Sequence, residues 1–103
     1  MPTTYLIVES QITDPEAFKQ YLAAAPAVAK AFGGEYLVRG GRMQVLEGDW
    51  QPPRLTVLSY PNFEQAKAMY DSPGYVHARS LRKCATACFN MVLVEGVEAA
   101  PAA

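Results

Sequence analysis

Three strand-like stretches of this 103-residue chain are apolar on both faces, and that constrains its fold more than any other feature. Successive strand side chains point to opposite sides, so Tyr5 and Ile7 face one way while Leu6 and Val8 face the other. Leu55 and Val57 likewise oppose Thr56, Leu58 and Tyr60, and Phe89, Met91 and Leu93 oppose Val92 and Val94. An antiparallel sheet wetted on one face alternates cleanly between apolar and polar residues. These strands do not, so both faces of their sheet need cover. Leaving one face in water forgoes about 1.5–3 kcal/mol for each large side chain. It also creates a contiguous apolar patch larger than monomers usually carry.

Helices supply the first cover. Asp14-Pro15-Glu16 combines an N-cap, a proline at the first helical position and an acid in the first turn, which is a helix start. Phe18, Tyr21, Leu22, Ala25, Val28, Ala29 and Phe32 then recur at threes and fours as one buried stripe. Pro26 interrupts the stripe, and a proline there lacks a donor and clashes one turn back, so a kink or restart is expected. Gly33-Gly34 closes the helix as a left-handed cap would. Asn62, with Gln65 three later, resembles a capping box for a second helix. Its inner stripe is Phe63, Ala66 and Tyr70, with Met69 alongside. Ser72-Pro73 restarts a helical piece running from Gly74 to about Cys84, with Val76 and Leu81 inward.

The remaining extended segment is Glu35-Tyr36-Leu37-Val38-Arg39, broken by Gly40-Gly41. Met43-Gln44-Val45-Leu46-Glu47 resumes an extended pattern before a loop of turn residues from Gly48 to Pro53. The element order is β-α-β-β-α-β, the ferredoxin-like arrangement of the α+β class. Right-handed crossovers then place the helices on one face of a four-stranded antiparallel sheet ordered 4-1-3-2. Residues 4–96 are expected to form a single domain and residues 97–103 a frayed tail. The second cover is expected to be another copy of the chain, packed sheet on sheet as a homodimer.

Charge and motif content exclude several function classes. Nine basic and ten acidic residues nearly cancel, and no run of Lys or Arg marks a nucleic-acid partner. Arg79, Arg82 and Lys83 read as the solvated face and last turn of a helix. No stretch approaches the ~20 apolar residues of a membrane span. The first residues lack a signal-peptide pattern, so no membrane partner and a cytoplasmic location are expected. Cys84 and Cys88 are four apart, which is neither a Cys-x-x-Cys motif nor half of a zinc site, and their redox state stays open. With one histidine and no phosphate-binding glycine loop or Gly-x-Ser-x-Gly elbow, no metal and no cofactor is expected.

Several local strings add a resemblance. Thr13-Asp14-Pro15-Glu16, Gly33-Gly34-Glu35-Tyr36-Leu37-Val38-Arg39-Gly40-Gly41, Val45-Leu46-Glu47-Gly48-Asp49-Trp50, Tyr70-Asp71-Ser72-Pro73-Gly74-Tyr75 and Leu93-Val94-Glu95-Gly96 lie in this order, with Tyr5-Leu6-Ile7-Val8 before them. Together they closely resemble the bacterial family catalogued as domain of unknown function 1330, over residues 4 to 96. The resemblance implies the dimeric α+β barrel superfamily, whose members include small monooxygenases that need no metal or flavin. The family itself carries no established activity. Gly74 departs from the pattern, where a helix-favouring residue is expected, and loosens that helix start without disturbing the fold.

A pocket in such a fold lies between helices and sheet, and the side chains able to give it polarity are Tyr36, Arg39, Trp50, Arg54, Tyr70 and His77. Arg39 could grip a ligand carboxylate with two parallel hydrogen bonds, or pair with Glu35, Glu47 or Asp49. Trp50 could line a cleft mouth, or seal the end of the sheet or a dimer seam. His77 could move a proton near neutral pH, although no orienting partner is evident beside it. Tyr36 and Tyr70 could donate phenolic protons, or be half-buried residues with one satisfied hydroxyl. Two functions follow. One is a cofactor-independent enzyme, monooxygenase- or isomerase-like, with Arg39 and Arg54 holding a small organic substrate, Trp50 and Tyr36 lining the site, and His77 or Tyr70 moving a proton. The other is a dimer that binds a small molecule or assists another protein without chemistry. They are told apart by whether these side chains converge in one cavity.

Overall fold

A computed structural model of the protein describes residues 2–97, so residues 98–103 of the expected tail lie outside the described residues. The elements are β1 (Thr4–Ile12), α1 (Pro15–Ala31), β2 (Glu35–Arg39), β3 (Leu55–Tyr60), α2 (Phe63–Asp71), α3 (Pro73–Ser80) and β4 (Thr86–Glu95). The four strands form one antiparallel sheet ordered β2-β3-β1-β4, the expected order read from the other edge. Strand β1 is central, with Leu6 opposite both Leu58 and Leu93, and Ile7 opposite both Val57 and Val92.

That register separates the two faces. Thr4, Leu6, Val8 and Ser10 are buried beneath the helices, together with Leu58 and Tyr60. They meet Phe18, Tyr21, Ala25 and Ala29 of α1, Ala66 and Met69 of α2, and Tyr75 and Ala78 of α3 in one core. The opposite face carries Tyr5, Ile7, Leu55, Val57, Val92 and Val94. No element of this chain covers it among the described residues, and Val92 remains 57% exposed.

The helix signals act largely as their chemistry requires. Asp14 accepts a hydrogen bond from the Ala17 amide at 3.1 Å, and Pro15 follows at the first helical position. Gly33 takes φ 82°, and a Cβ on Gly34 would lie 2.7 Å from the Tyr60 ring and 2.8 Å from the Ala29 carbonyl oxygen. Asn62 caps α2 by accepting from the Gln65 amide at 2.8 Å. The Gln65 side chain does not complete a capping box. It donates to the Phe32 carbonyl at 2.7 Å and ties the end of α1 to the start of α2.

Four local expectations are corrected. Helix α1 runs through Pro26 without a break, because buried residues on both sides of it, Tyr21 and Ala25 before and Ala29 after, hold one continuous stripe against the sheet. Phe63 is only partly covered on α2, 37% exposed, while Ala66 and Met69 are buried. In α3 the inward residues are Tyr75 and Ala78, whereas Val76 is exposed. The Ser72 cap sets this phase, since its Oγ accepts from the Tyr75 amide and donates to the Met69 carbonyl. Residues 43–47 form no strand, because they pair with no strand of the sheet, and Leu46 is left 87% exposed.

Candidate functional site

A cavity of about 50 Å³ lies between α1 and the β2-β3-β1 part of the sheet. Tyr36, Arg39 and Arg54 line it, with the hydroxyl-bearing Ser10 and Thr56 and an apolar wall that includes Leu22 and Phe89. A register shift in β2 brings Tyr36 and Arg39 together. Residues three apart on a regular strand point to opposite faces. Here Tyr36 pairs with Leu58 and Arg39 pairs with Thr56, with an irregularity between Tyr36 and Val38. Leu58 and Thr56 share the helix-covered face, so both β2 side chains turn toward the cavity. The Arg39 guanidinium sits 4.5 Å from the centre of the Tyr36 ring, a cation–π contact.

Arg54 enters from the start of β3. Its carbonyl accepts from the Ser10 amide at 3.1 Å, which pins its backbone beside β1. Gly40 stands beside it at φ 70°, where a Cβ would lie 3.0 Å from Arg54 Nε. A side chain at position 40 would therefore be strained and would crowd the guanidinium. Arg54 Nε is buried and has no protein partner. The ion pairs among the described residues are Lys19–Glu16 and Lys67–Asp71, so neither Arg39 nor Arg54 is neutralised by a carboxylate. The sequence alternative that paired Arg39 with Glu35, Glu47 or Asp49 is not formed.

The inner wall is phenolic. Tyr21 of α1 lines the cavity, and its hydroxyl lies 2.7 Å from that of Tyr75 on α3. The Tyr75 hydroxyl also lies 3.5 Å from Met91 Sδ. Burial above all, and then the neighbouring Tyr75, push the Tyr21 phenol well above its usual range. Burial also raises Tyr36, outweighing the opposing pull of Arg39. Both phenols therefore stay protonated at neutral pH and act as donors rather than bases. Arg82 packs against two of the lining rings, 3.6 Å from the centre of Phe89 and 5.4 Å from that of Tyr21. Its Nε is buried, so Arg82 departs from the expected solvated basic face, while Lys83 is exposed.

The other sequence candidates lie elsewhere. Tyr70 lines a second cavity of about 260 Å³ between α2 and the sheet, walled by Leu6, Met69, Met91 and Leu93. His77 is exposed on α3 and lines neither cavity. Trp50 lies on the uncovered face, 58% exposed, where its Nε1 donates to Glu9 Oε2 at 3.1 Å. Asn90 donates to the other Glu9 oxygen at 3.0 Å. Cys84 and Cys88 are free thiols, and partial burial followed by the Glu9 carboxylate raises the Cys88 thiol. Among the described residues no three His, Cys, Asp or Glu side chains gather as a metal would require. Sequence reasoning assigned Tyr21 to the core stripe and passed over Tyr75. The available signal was the need of a buried phenol for a hydroxyl partner.

A four-stranded antiparallel sheet with helices on one face and a cleft beneath them defines an α+β protein of ferredoxin-like fold. The chain belongs to the family described as Domain of unknown function (DUF1330), which it matches over residues 3–97. No functionally curated protein matches it. Among solved structures, a protein of unknown function from Rhodopseudomonas palustris is similar at TM-score 0.76 and 16% identity, covering 95% of this chain and 85% of its own. SnoaB, a cofactor-independent oxygenase from Streptomyces nogalater, is similar at TM-score 0.64 and 11% identity, covering 98% of this chain and 99% of its own. A dimeric protein of unknown function and ferredoxin-like fold from Bacteroides fragilis is similar at TM-score 0.62 and 16% identity, covering 91% of this chain and 96% of its own. At these identities the likeness is one of fold.

Proposed function

We propose that the cleft between α1 and the sheet binds a small organic carboxylate, and that Arg39 and Arg54 hold it. The observation that carries this reading is two guanidinium groups on one small cavity with no carboxylate of the described chain paired to either. The forked donors of arginine match the two oxygens of a carboxylate. Isothermal titration of a panel of carboxylates, from acetate to benzoate, tests it. A charge-assisted hydrogen bond contributes about 1.5–3 kcal/mol, so Arg39→Ala and Arg54→Ala should each weaken binding by about tenfold or more. A panel in which no member binds the unaltered protein would sink the reading.

The chemistry proposed on this acid is that of a cofactor-independent enzyme. The protonated phenols Tyr36 and Tyr21 would give a hydrogen bond or proton to a ligand oxygen, in place of Tyr70 and His77, which stand outside the cleft. The fold shared with a cofactor-independent oxygenase supports this by analogy. Turnover of a bound acid by metal-free, flavin-free protein would establish it. A second reading, binding without chemistry, is favoured by the lack of a histidine or carboxylate on the cavity wall to serve as base. Binding without any change in the ligand on prolonged incubation would select it.

We further propose that residues 4–96 act as one domain and that two copies pair through the uncovered face of the sheet. The apolar side chains of that face support the pairing, as does the dimeric state named for a neighbour of the same fold. Native mass spectrometry giving only the monomer mass would refute it.

A further inference from the structure

The stretch between β2 and β3 lacks partners in two ways. No backbone N–H or carbonyl of residues 41–53 is hydrogen-bonded within the described chain. Met43, Val45, Leu46 and Trp50 nevertheless lie exposed along it. Apolar side chains exposed together in this way mark an interaction surface. Trp50 anchors the far end of the stretch on the uncovered sheet face through its bond to Glu9. Gly41 and Gly48 bracket residues 42–47, each with open space where a Cβ would stand.

The sheet has one edge suited to such a segment. The β2 edge is five residues long, charged at both ends and irregular between Tyr36 and Val38, all of which discourage further pairing. The β4 edge is ten residues long, contains no proline and carries a single charge, Glu95, at its end. One antiparallel register suits both partners. With Arg42 opposite Glu95, Met43 and Val45 stand opposite Val94 and Val92, which lie on the uncovered face. Leu46 then falls opposite Met91, which lines the cavity beneath α2. Among the described residues neither Arg42 nor Glu95 is ion-paired. The segment cannot reach the β4 edge of its own chain. A place beyond β4 lies four strand spacings from β2, about 19 Å. The three residues from Arg39 to Arg42 span at most about 11 Å.

We infer that residues 43–47 of one copy add an antiparallel strand to the β4 edge of a second copy, with Arg42 facing Glu95 of the partner subunit. This rests on the reading that two copies pair through the uncovered face. It adds to that pairing an exchange of segments in which each copy closes the free edge of the other. The unpaired backbone of residues 43–47 gains a ladder, and the open edge gains a neighbour. Each copy also supplies a Leu46 side chain beside Met91 at the second cavity of its partner, so the wall of that cavity is completed only in the dimer.

The test measures dimerisation by sedimentation equilibrium at low salt, together with hydrogen exchange of the same dimer read by mass spectrometry. Residues 43–47 should exchange about tenfold or more slower than a free peptide of the same sequence. Arg42→Glu and Glu95→Arg should each weaken the dimer about three- to thirtyfold, because a twofold dimer loses two exposed ion pairs at once. The double variant should recover most of that loss. Neither side chain is ion-paired within its own chain, so the fold of the monomer is undisturbed. Three results overturn the inference and leave the face pairing standing: a dimer whose residues 43–47 exchange freely, single reversals without effect on affinity, or a double variant as weak as both losses combined. A protein that stays monomeric at every concentration overturns the face pairing and the inference with it.

Discussion

At the scale of single residues, three phenols under the helices hold their protons more tightly than phenols in water do. Tyr21, Tyr36 and Tyr60 are each raised above the usual tyrosine value, with burial the largest cause in every case. Tyr60 is 1% exposed and its hydroxyl has no protein partner. The folded chain thus holds these protons more tightly than the unfolded chain, whose tyrosines titrate near ~10. Their contribution to stability is complete below that pH. It is lost as pH rises above it, because only the unfolded state releases protons there. The urea midpoint should therefore be level from about pH 7 to 9 and fall steeply above about 10. Replacing all three tyrosines with phenylalanine should flatten the fall. A midpoint that stays level well above that pH would show that the phenols titrate freely. The arginines were recognisable in the sequence as candidates. Their lack of carboxylate partners was not, because Glu35, Glu47 and Asp49 are near in sequence and only the fold shows that none pairs with Arg39.

At the scale of elements, Ser72 does the most for its size. Its Oγ donates to the Met69 carbonyl at the end of α2 and accepts from the Tyr75 amide at the start of α3. It thereby sets which residues of α3 turn inward. Ser72→Ala should cost about 0.5–2 kcal/mol of stability, the usual worth of such a cap, measured by urea unfolding at neutral pH. A cost near zero would mean that water replaces both bonds. Caps of this kind are local chemistry, so Asp14, Asn62 and Ser72 could all be read from their neighbours. The phase of an eight-residue helix is not local to the same degree. Val76 and Tyr75 are equally plausible inward residues until the sheet beneath them has a register. The irregularity in β2 is also silent in the sequence, yet it turns both Tyr36 and Arg39 into the cleft.

At the scale of the whole molecule, the uncovered face of the sheet is the surface proposed for pairing. Val57 and Val92 flank Ile7 at its centre, since both stand opposite it in the register. A carboxylate placed there would be stranded in a sheet-to-sheet interface, a change that is strongly destabilising when the charge finds no partner. If the chain pairs as proposed, Val57→Asp with Val92→Asp should convert that dimer to a folded monomer, seen by native mass spectrometry with unchanged far-ultraviolet circular dichroism. A variant that remains dimeric would place the interface elsewhere. Glu9 is no obstacle on this face, because Trp50 and Asn90 each donate to one of its oxygens.

The sequence by itself determined the element order, the helix starts and the apolar character of both sheet faces. Each follows from the chemistry of a few adjacent residues or from a simple period along the chain. It also named Tyr36, Arg39 and Arg54, because charged and phenolic side chains at the ends of apolar strands stand out. Only the tertiary structure decided that these three share one cavity while Tyr70, Trp50 and His77 do not. It alone placed Tyr21 against Tyr75 across 54 positions of chain. Such meetings depend on strand register and on the phase of one helix against another. Those are set by the packing of the whole core, and no window of sequence contains it.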